Sequence, residues 1–240
     1  MTYEVIARKW RPKEFKDLVG QEHVVRTLRN AISGNKVAQA YVFSGPRGVG
    51  KTSAARIFAR ALQCAKGPTP DPCGTCGPCK AVMDGSSLDV IEIDAATNRL
   101  VEDAEKLRET VRYAPTSSKV KVYIIDEVHM LSNHAFNALL KTLEEPPPFV
   151  KFVFATTEHH KIPETITSRC QRLEFRRMSV PVIVGTLDKI AKAEGIKAEL
   201  EALDVVARAA DGSLRDAQSL FDQVACYAET GVTVKEAEAM

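Results

Sequence analysis

A glycine-rich loop that ends in Lys-Thr constrains this chain more than any other feature. Residues 45–52 match the pattern G-x-x-x-x-G-K-[ST] at every fixed position, between an apolar run at 39–44 and a helical pattern at 51–62. In such a strand, loop and helix the backbone N–H groups converge on a phosphate, and the helix N-terminus adds positive potential. The alternative is an ordinary glycine-rich turn. The predicted nucleotide-binding residues of the loop are Gly45, Pro46, Arg47, Gly48, Val49, Gly50, Lys51 and Thr52.

Two residues of this loop have predicted chemical roles. The Lys51 ammonium is placed to bridge the β- and γ-phosphates, and the Thr52 hydroxyl is placed to ligate Mg²⁺. A loop of this kind needs a carboxylate for the metal, at the carboxyl end of a neighbouring strand. Asp126 ends the apolar run 122–125 and fits that place, and Glu127 follows as the candidate that takes a proton from the attacking water. An acidic strand end facing solvent is the alternative.

The remaining apolar segments predict the fold class. They lie at 88–93, 120–125, 151–156 and 171–175, and helical patterns at 101–113 and 133–143 separate most of them. Strands that alternate with helices favour an α/β fold with a parallel sheet, here of five strands.

The pattern changes after Met178, where no further strand pattern occurs. Helices are predicted at 182–193 and 199–210, and a third continues through Cys226 with Ser213 as its N-cap; Thr233 with Glu236 is typical of a capping box. We therefore predict a nucleotide-binding domain over 1–178 and a small all-helical domain over 179–240. Because the last helix is cut short, we also expect a further domain after residue 240.

Four of the six cysteines lie close together in the chain. Cys64, Cys73, Cys76 and Cys79 have the spacing C-x8-C-x2-C-x2-C in a segment rich in Pro and Gly. Four thiolates around a tetrahedral Zn²⁺ would supply folding energy that the segment lacks, and they leave no open position for catalysis. The prediction is a structural zinc site, with an iron–sulfur cluster as the main alternative.

Composition excludes several classes of protein. The formal net charge is +2 and 45% of residues are hydrophobic, so neither a polybasic tail nor a disordered chain is indicated. No apolar stretch reaches 18 residues, and charged residues occupy the N-terminus in place of a signal peptide. We expect a cytoplasmic protein without a membrane partner.

Longer motifs resemble a known family. The sequence Asp126-Glu127-Val128-His129 after the strand, with Ser168-Arg169-Cys170 further on, is similar to AAA+ clamp-loader ATPases. Closer resemblance is to the gamma/tau family of bacterial DNA polymerase III, through residues 7–12, 19–22 and 140–147. It extends over almost the whole chain and includes a zinc insertion after the P-loop helix.

The resemblance implies roles for residues that local chemistry would leave undecided. Arg11, Pro12, Val19 and Gly20 would surround adenine. Thr157 would be the polar sensor beside the γ-phosphate, with Thr156 the less favoured candidate. The remaining two roles are catalytic arginines: Arg169 would be the finger that enters the ATP site of a neighbouring subunit, and Arg215 the second sensor, on a helical lid. On the sequence alone, each arginine would be a solvated surface residue.

The implied function is an ATP-hydrolysing clamp-loader subunit that acts with other loader subunits, a sliding clamp and primer-template DNA, while this chain alone is expected to be monomeric. DNA contacts would involve 97–99 and Lys141 and would follow the backbone, since aromatic and basic residues are not interleaved. Two alternatives remain. One is an ATP-binding switch or scaffold subunit without hydrolysis, and the other is a small-molecule or nucleotide kinase.

Overall fold

A computed structural model describes residues 3–97, 110–228 and 231–239. The predicted helix at 101–113 and the predicted DNA contacts at 98 and 99 lie wholly or mostly outside these residues. The fold is built on one sheet, and a group of C-terminal helices packs beside it.

The sheet has five strands, all of which pair in parallel. They are β1 (Ala40–Ser44), β2 (Val90–Asp94), β3 (Lys121–Asp126), β4 (Val150–Thr156) and β5 (Gln171–Glu174), in the spatial order β2-β3-β4-β1-β5. All five predicted strands and the parallel sheet are therefore confirmed. The register places Ser44 opposite Thr156 and Asp94 opposite Asp126, so several polar strand ends meet at one edge.

Helices cover both faces of the sheet, which explains why the strands are continuous apolar runs. Successive residues of a strand point to opposite faces. In β1, Tyr41 and Phe43 therefore pack with Phe58, while Ala40 and Val42 lie in the cluster of the other face. The helices that accompany the sheet are α1 (Ile6–Lys9), α2 (Glu22–Ser33), α3 (Lys51–Gln63), α4 (Gly77–Asp84), α5 (Asn133–Glu144) and α6 (Glu164–Thr167).

The C-terminal helices form a separate hydrophobic cluster. They are α7 (Val180–Glu194), α8 (Leu200–Ala209), α9 (Leu214–Tyr227) and α10 (Val234–Glu238). Leu187, Leu203 and Phe221 are completely buried among them, and Ile6 of the N-terminal helix joins the same cluster. The side chain of Ser213 caps α9 by accepting a hydrogen bond from the Asp216 amide, as predicted.

Four helices in the described part of the chain were missed by the sequence patterns. The longest is α2, although its buried residues Val24, Leu28 and Ile32 recur every four positions, as a helix that packs on one side requires. The others are the single-turn helices α1 and α6, and α4, which lies inside the cysteine segment. No helix in the described part of the chain has the length and apolar character needed to cross a membrane.

Candidate nucleotide site and cysteine cluster

The predicted phosphate loop connects β1 to α3. Gly50 caps α3 with a φ of 99°, a conformation that glycine adopts without steric cost. The Lys51 ammonium donates hydrogen bonds to the carbonyl oxygens of Gly45 and Pro46, at 2.8 and 2.6 Å. Burial lowers the pKa of Lys51, and the negative charges of Glu127 and Asp126 partly oppose that effect. The loop therefore holds a desolvated cation next to two carboxylates.

The hydroxyl of Thr52 and the carboxylate of Asp126 meet at the end of β3. Thr52 Oγ1 donates to Asp126 Oδ2 at 2.6 Å, although the two residues belong to different elements. Oxygen ligands of this kind suit Mg²⁺, which usually takes one or two protein ligands beside substrate phosphates. The donor set therefore fits the metal that the sequence predicts here.

Glu127 adopts a left-handed backbone conformation, with a φ of 47°. Its Oε2 atom accepts hydrogen bonds from the amide of Thr157, at 3.2 Å, and from the Thr157 hydroxyl, at 3.0 Å. Thr156 instead lies fully buried, with its hydroxyl oxygen 2.9 Å from His129 Nδ1. Of the two threonines considered for the sensor role, Thr157 is the one that contacts the candidate base.

The beginning of α9 packs against the phosphate loop. The backbone amide of Arg215 donates to the carbonyl oxygen of Gly48 at 3.3 Å, and a Cβ atom on Gly48 would lie 1.9 Å from Ser213 Oγ. Arg11 approaches α3, where its Nε donates to Ser53 Oγ at 3.4 Å. Burial lowers the pKa of Arg11, and the charges of Arg56 and Arg215 add to that effect. The positive charges of Arg11, Arg56 and Arg215 thus lie near enough to influence one another.

The segment predicted to surround adenine lies between the sheet and the C-terminal helices. Val19 packs against the helical cluster, and a Cβ atom on Gly20 would lie 3.2 Å from Met178 Cγ. The next residue, Gln21, is completely buried, and its amide group donates to the carbonyl oxygen and accepts from the amide of Arg176. Pro12 and Pro46 are half-buried, Arg47 is exposed and Val49 belongs to the core of the sheet domain.

Arg169 is the one candidate catalytic residue that the structure does not bring to this site. Its Nη2 atom is 2.9 Å from Glu144 Oε1, and its Nη1 atom donates to the Thr165 carbonyl oxygen at 2.7 Å. The side chain is 37% exposed. Arg169 therefore stands at the surface, which a residue that acts on a neighbouring subunit requires.

The four cysteines converge as predicted. The sulfur atoms of Cys64, Cys73, Cys76 and Cys79 all lie within 4.8 Å of one another, and the Cys64 and Cys73 sulfurs are 3.8 Å apart. Tetrahedral Zn–S bonds of ~2.3 Å place sulfur atoms ~3.8 Å apart, so the cluster fits a closed Zn²⁺ site.

The surroundings of these thiols are unequal. Backbone N–H groups of Cys76 and Thr75 lower the pKa of Cys73 to about 5, whereas burial raises the pKa of Cys79 to about 12. Helix α4 begins directly after Cys76, and it contributes the buried Val82. The segment therefore has more regular structure than its Pro and Gly content indicates.

Three residues near the candidate sites were not found from sequence patterns. These are His129 beside Glu127, the buried Gln21 and the Arg169 partner Glu144. A buried Gln after Gly has no distinctive local signal, and Glu144 at the end of a helix resembles any surface carboxylate. His129 stands in the motif after β3, but only its folded position reveals which groups it contacts.

Known structures and sequences resemble this chain. The RuvB Holliday junction branch migration motor of Thermotoga maritima superposes with a TM-score of 0.71 at 19% identity, over 96% of this chain and 71% of RuvB. That likeness shows the fold, a P-loop ATPase fold with C-terminal helices. DNA polymerase III subunit tau of Bacillus subtilis is 52% identical over 237 residues, which are 99% of this chain and 42% of that protein.

Other relatives give the same result. DNA polymerase III subunit tau of Escherichia coli is 51% identical over 100% of this chain and 37% of that protein. The chain thus spans less than half the length of these tau subunits. A family model described as "DNA polymerase III, delta subunit" matches residues 20–179, and one described as "DNA polymerase III clamp loader subunit, ATPase lid domain" matches residues 182–230. Matches over nearly all of the sheet and the C-terminal helices show that this chain belongs to the family of DNA polymerase III clamp-loader subunits.

Proposed function

We propose that this chain is the ATP-hydrolysing part of a replicative clamp loader, in which ATP binding and hydrolysis drive the loading of a sliding clamp on primed DNA. The observation that carries the proposal is the contact between Thr52 and Asp126 beside Glu127, at the mouth of a phosphate loop. A metal-binding pair with a second carboxylate next to it is what hydrolysis of a nucleoside triphosphate requires.

Each group at this edge has a proposed task. Lys51 exchanges its carbonyl partners for the β- and γ-phosphates, whose charge offsets the desolvation of the ammonium. Glu127 orients the attacking water and takes its proton, and Thr157 holds the Glu127 carboxylate. Mg²⁺ held by Thr52 and Asp126 would neutralise charge on the phosphates. Arg215 would contact the phosphates of its own subunit from the start of α9.

Arg169 is proposed to act on the ATP of a neighbouring subunit. Its exposed position, away from the phosphate loop of its own chain, supports action across a boundary. A guanidinium already in place where charge develops accelerates such reactions by about a thousandfold or more. The isolated chain should therefore hydrolyse ATP slowly, and we propose that it is monomeric alone.

The remaining proposals concern organisation. We propose a nucleotide-binding domain over 1–178 with a structural Zn²⁺ held by the four clustered cysteines, a helical lid over 179–240, and adenine contacts from Arg11, Pro12, Val19 and Gly20. We also propose a cytoplasmic location, with loader subunits, clamp and primer-template DNA as partners. The exposed Lys141 on α5 supports DNA backbone contact.

Mixed assemblies provide the sharpest test of this function. We would build loaders from a chain with Arg169→Ala and a chain with Glu127→Gln, separately and together, and measure ATP hydrolysis with clamp and primed DNA. Each variant alone should lower turnover about a thousandfold. Mixed assemblies should recover part of the activity, because some junctions then pair an intact Arg169 with an intact Glu127.

Arg172→Ala is the matched control, since Arg172 is exposed on β5 only three residues from Arg169. This variant should hydrolyse ATP at the normal rate. Magnesium-dependent ATP binding without hydrolysis in the wild-type assembly would favour a switch or scaffold subunit. A turnover that rises when a phosphoryl acceptor is added would favour a kinase, and no recovery in the mixed assemblies would place Arg169 in its own site.

A further inference from the structure

A buried histidine lies directly beside the candidate base. The side chain of His129 is 7% exposed, and its ring stands between two carboxylates. Nδ1 is 3.3 Å from Glu127 Oε2, and Nε2 is 3.3 Å from Glu158 Oε1. Nδ1 is also 2.9 Å from the hydroxyl oxygen of Thr156. Contacts on both ring nitrogens fix the orientation of the imidazole.

The backbone explains why His129 reaches a residue so close to it in sequence. Glu127 has a φ of 47°, and a 3-10 turn over Val128–Met130 follows, closed by the Met130 amide on the Glu127 carbonyl oxygen at 2.8 Å. This sharp turn brings the imidazole back against the Glu127 carboxylate. A left-handed conformation at a non-glycine residue costs on the order of 1 kcal/mol, and such strain is concentrated at functional sites.

The contacts of the Glu127 carboxylate are unevenly distributed. Thr157 donates two hydrogen bonds to Oε2, and His129 Nδ1 lies against the same oxygen. In the described part of the chain, Oε1 has no hydrogen-bond partner. A carboxylate held through one oxygen has lost its rotational freedom, and its second oxygen remains available to a reacting group.

We infer that His129 is a positioning residue. It holds the Glu127 carboxylate in the place from which that carboxylate orients the attacking water. The inference rests on the proposed ATPase function. Within the described part of the chain, the polar contacts of His129 go to Glu127, Thr156 and Glu158, and none goes to the phosphate loop. Its loss should therefore lower the rate of hydrolysis and leave nucleotide binding unchanged, because only the orientation of the base is affected.

Two substitutions distinguish the contacts of Nδ1 from the contact of Nε2. The amide nitrogen of Asn occupies roughly the place of Nδ1, so His129→Asn keeps a nitrogen that faces Glu127 and Thr156. The longer Gln places its amide nitrogen nearer to the position of Nε2, so His129→Gln keeps a nitrogen that faces Glu158. His129→Leu removes both, and His160→Leu is the matched control, because the His160 side chain is 67% exposed and its Nε2 atom lies 3.8 Å from Glu158 Oε2.

The experiment measures kcat and KM for ATP in the assembled loader with clamp and primed DNA, together with nucleotide affinity by calorimetry. His129→Leu should lower kcat about 10- to 100-fold, with KM and affinity within about twofold of wild type. His129→Asn should recover kcat to within about threefold, His129→Gln should not, and His160→Leu should match wild type. Added to Glu127→Gln, His129→Leu should cost no further activity.

Several results would overturn the inference. They are an unchanged kcat in His129→Leu, equal recovery by Asn and Gln, or a further loss in the Glu127→Gln background. If His129→Leu does not fold, the Asn and Gln variants still decide the matter through their ratio of kcat values. An assembly whose wild type hydrolyses no ATP would refute the proposed function itself, whereas normal wild-type turnover with an insensitive His129 would refute only this inference.

Discussion

Polar groups converge in two regions of the molecule, and different interactions hold them there. One region is the edge of the sheet with Thr52, Asp126, Glu127 and Thr157, here called the nucleotide edge, and the other is the cysteine segment. At the nucleotide edge the groups stand at the ends of buried strands, and protein atoms already join them, as in the contacts of Thr52 with Asp126 and Thr157 with Glu127. In the cysteine segment the converging groups are four thiols, with a single helix and few buried side chains to hold them. The first arrangement follows from the fold, and we expect the second to depend on a bound metal.

The largest expected effect comes from removing the metal that the thiols would hold. Treatment with a chelator, or the substitution Cys79→Ser, should unfold α4 and leave β1 and β3 intact. Structural zinc supplies on the order of 10 kcal/mol to small metal-dependent folds, and the buried Cys79 cannot be replaced by a hydroxyl. Hydrogen exchange measured by mass spectrometry, with zinc content measured in parallel, checks the local loss of protection.

Cys226→Ser is the control, because Cys226 is an exposed cysteine outside the cluster. It should change neither zinc content nor exchange. If α4 kept its protection after complete metal removal, the contrast between the two regions would fail, since the fold alone would then hold the thiols.

In contrast to the cysteine segment, the phosphate loop should keep its stability when its buried cation, the Lys51 ammonium, is removed. Lys51→Met should weaken ATP binding by roughly 100-fold, because charge-assisted hydrogen bonds to phosphate are lost. The stability of the nucleotide-free chain should not fall. The lowered pKa of Lys51 means that the folded chain holds this proton less tightly than the unfolded chain, so the buried ammonium is destabilising near neutral pH.

The downward shift of the Lys51 pKa also predicts how the stability difference between the variant and wild type changes with pH. The variant should exceed wild type in unfolding free energy by the full amount at every pH below the lowered pKa. The difference should shrink as the pH rises from there toward 10.5, the ordinary value, where both states lose the proton. Urea unfolding at several pH values measures it, and Lys36→Met at an exposed position is the control. Marked destabilisation by Lys51→Met at neutral pH would contradict the argument.

A smaller effect is expected where the phosphate loop meets the C-terminal helices. Gly48→Ala requires a φ of 72° at an alanine and places Cβ 1.9 Å from Ser213 Oγ. The left-handed backbone at position 48 and the displacement of Ser213 should together lower the unfolding free energy by about 2 kcal/mol. Gly195→Ala isolates the backbone part, because Gly195 has a φ of 69° and nothing within 4 Å of the added Cβ atom.

A second substitution tests the contact itself. Ser213→Gly in the Gly48→Ala chain should recover part of the loss, since glycine is tolerated at a helix N-cap for a few tenths of a kcal/mol. Denaturant unfolding of wild type, Gly48→Ala, Ser213→Gly and the double variant measures the coupling. Equal losses for Gly48→Ala and Gly195→Ala would show that the nucleotide edge stands independently of the helices beside it.

The same contrast explains what the sequence predicts well. Strands buried on both faces leave long apolar runs, and the phosphate loop must follow one strand while Asp126 ends another, so local patterns were sufficient for the sheet and for this pair. The contact between Gly48 and Ser213 has no such signal, because it joins the phosphate loop to a helix that is distant in sequence. The contact of His129 with Glu127 depends on a left-handed residue, which local preferences disfavour.

The cysteine segment offers a last and smallest test, because an ion pair connects it to α2. The Arg29 guanidinium on α2 donates to both carboxylate oxygens of Asp71, at 2.7 and 2.9 Å. Pairs that are this exposed contribute less than about 1 kcal/mol, so Arg29→Ala should barely change the stability of the zinc-bound chain. The rate of zinc loss to a chelator should rise severalfold at low salt and little at high salt, because screening already weakens the pair.

Arg208→Ala removes a comparable exposed pair, with Asp204 on the same helix, and should leave the rate of zinc loss unchanged. If Arg29→Ala instead destabilised the zinc-bound chain by several kcal/mol, the segment would be anchored by its contact with α2 rather than by the metal. The two regions would then differ only in degree, because each would owe its geometry to protein contacts. If Arg29→Ala causes only a small loss of stability and faster zinc release, the thiol–metal bonds are the main interaction that holds the segment.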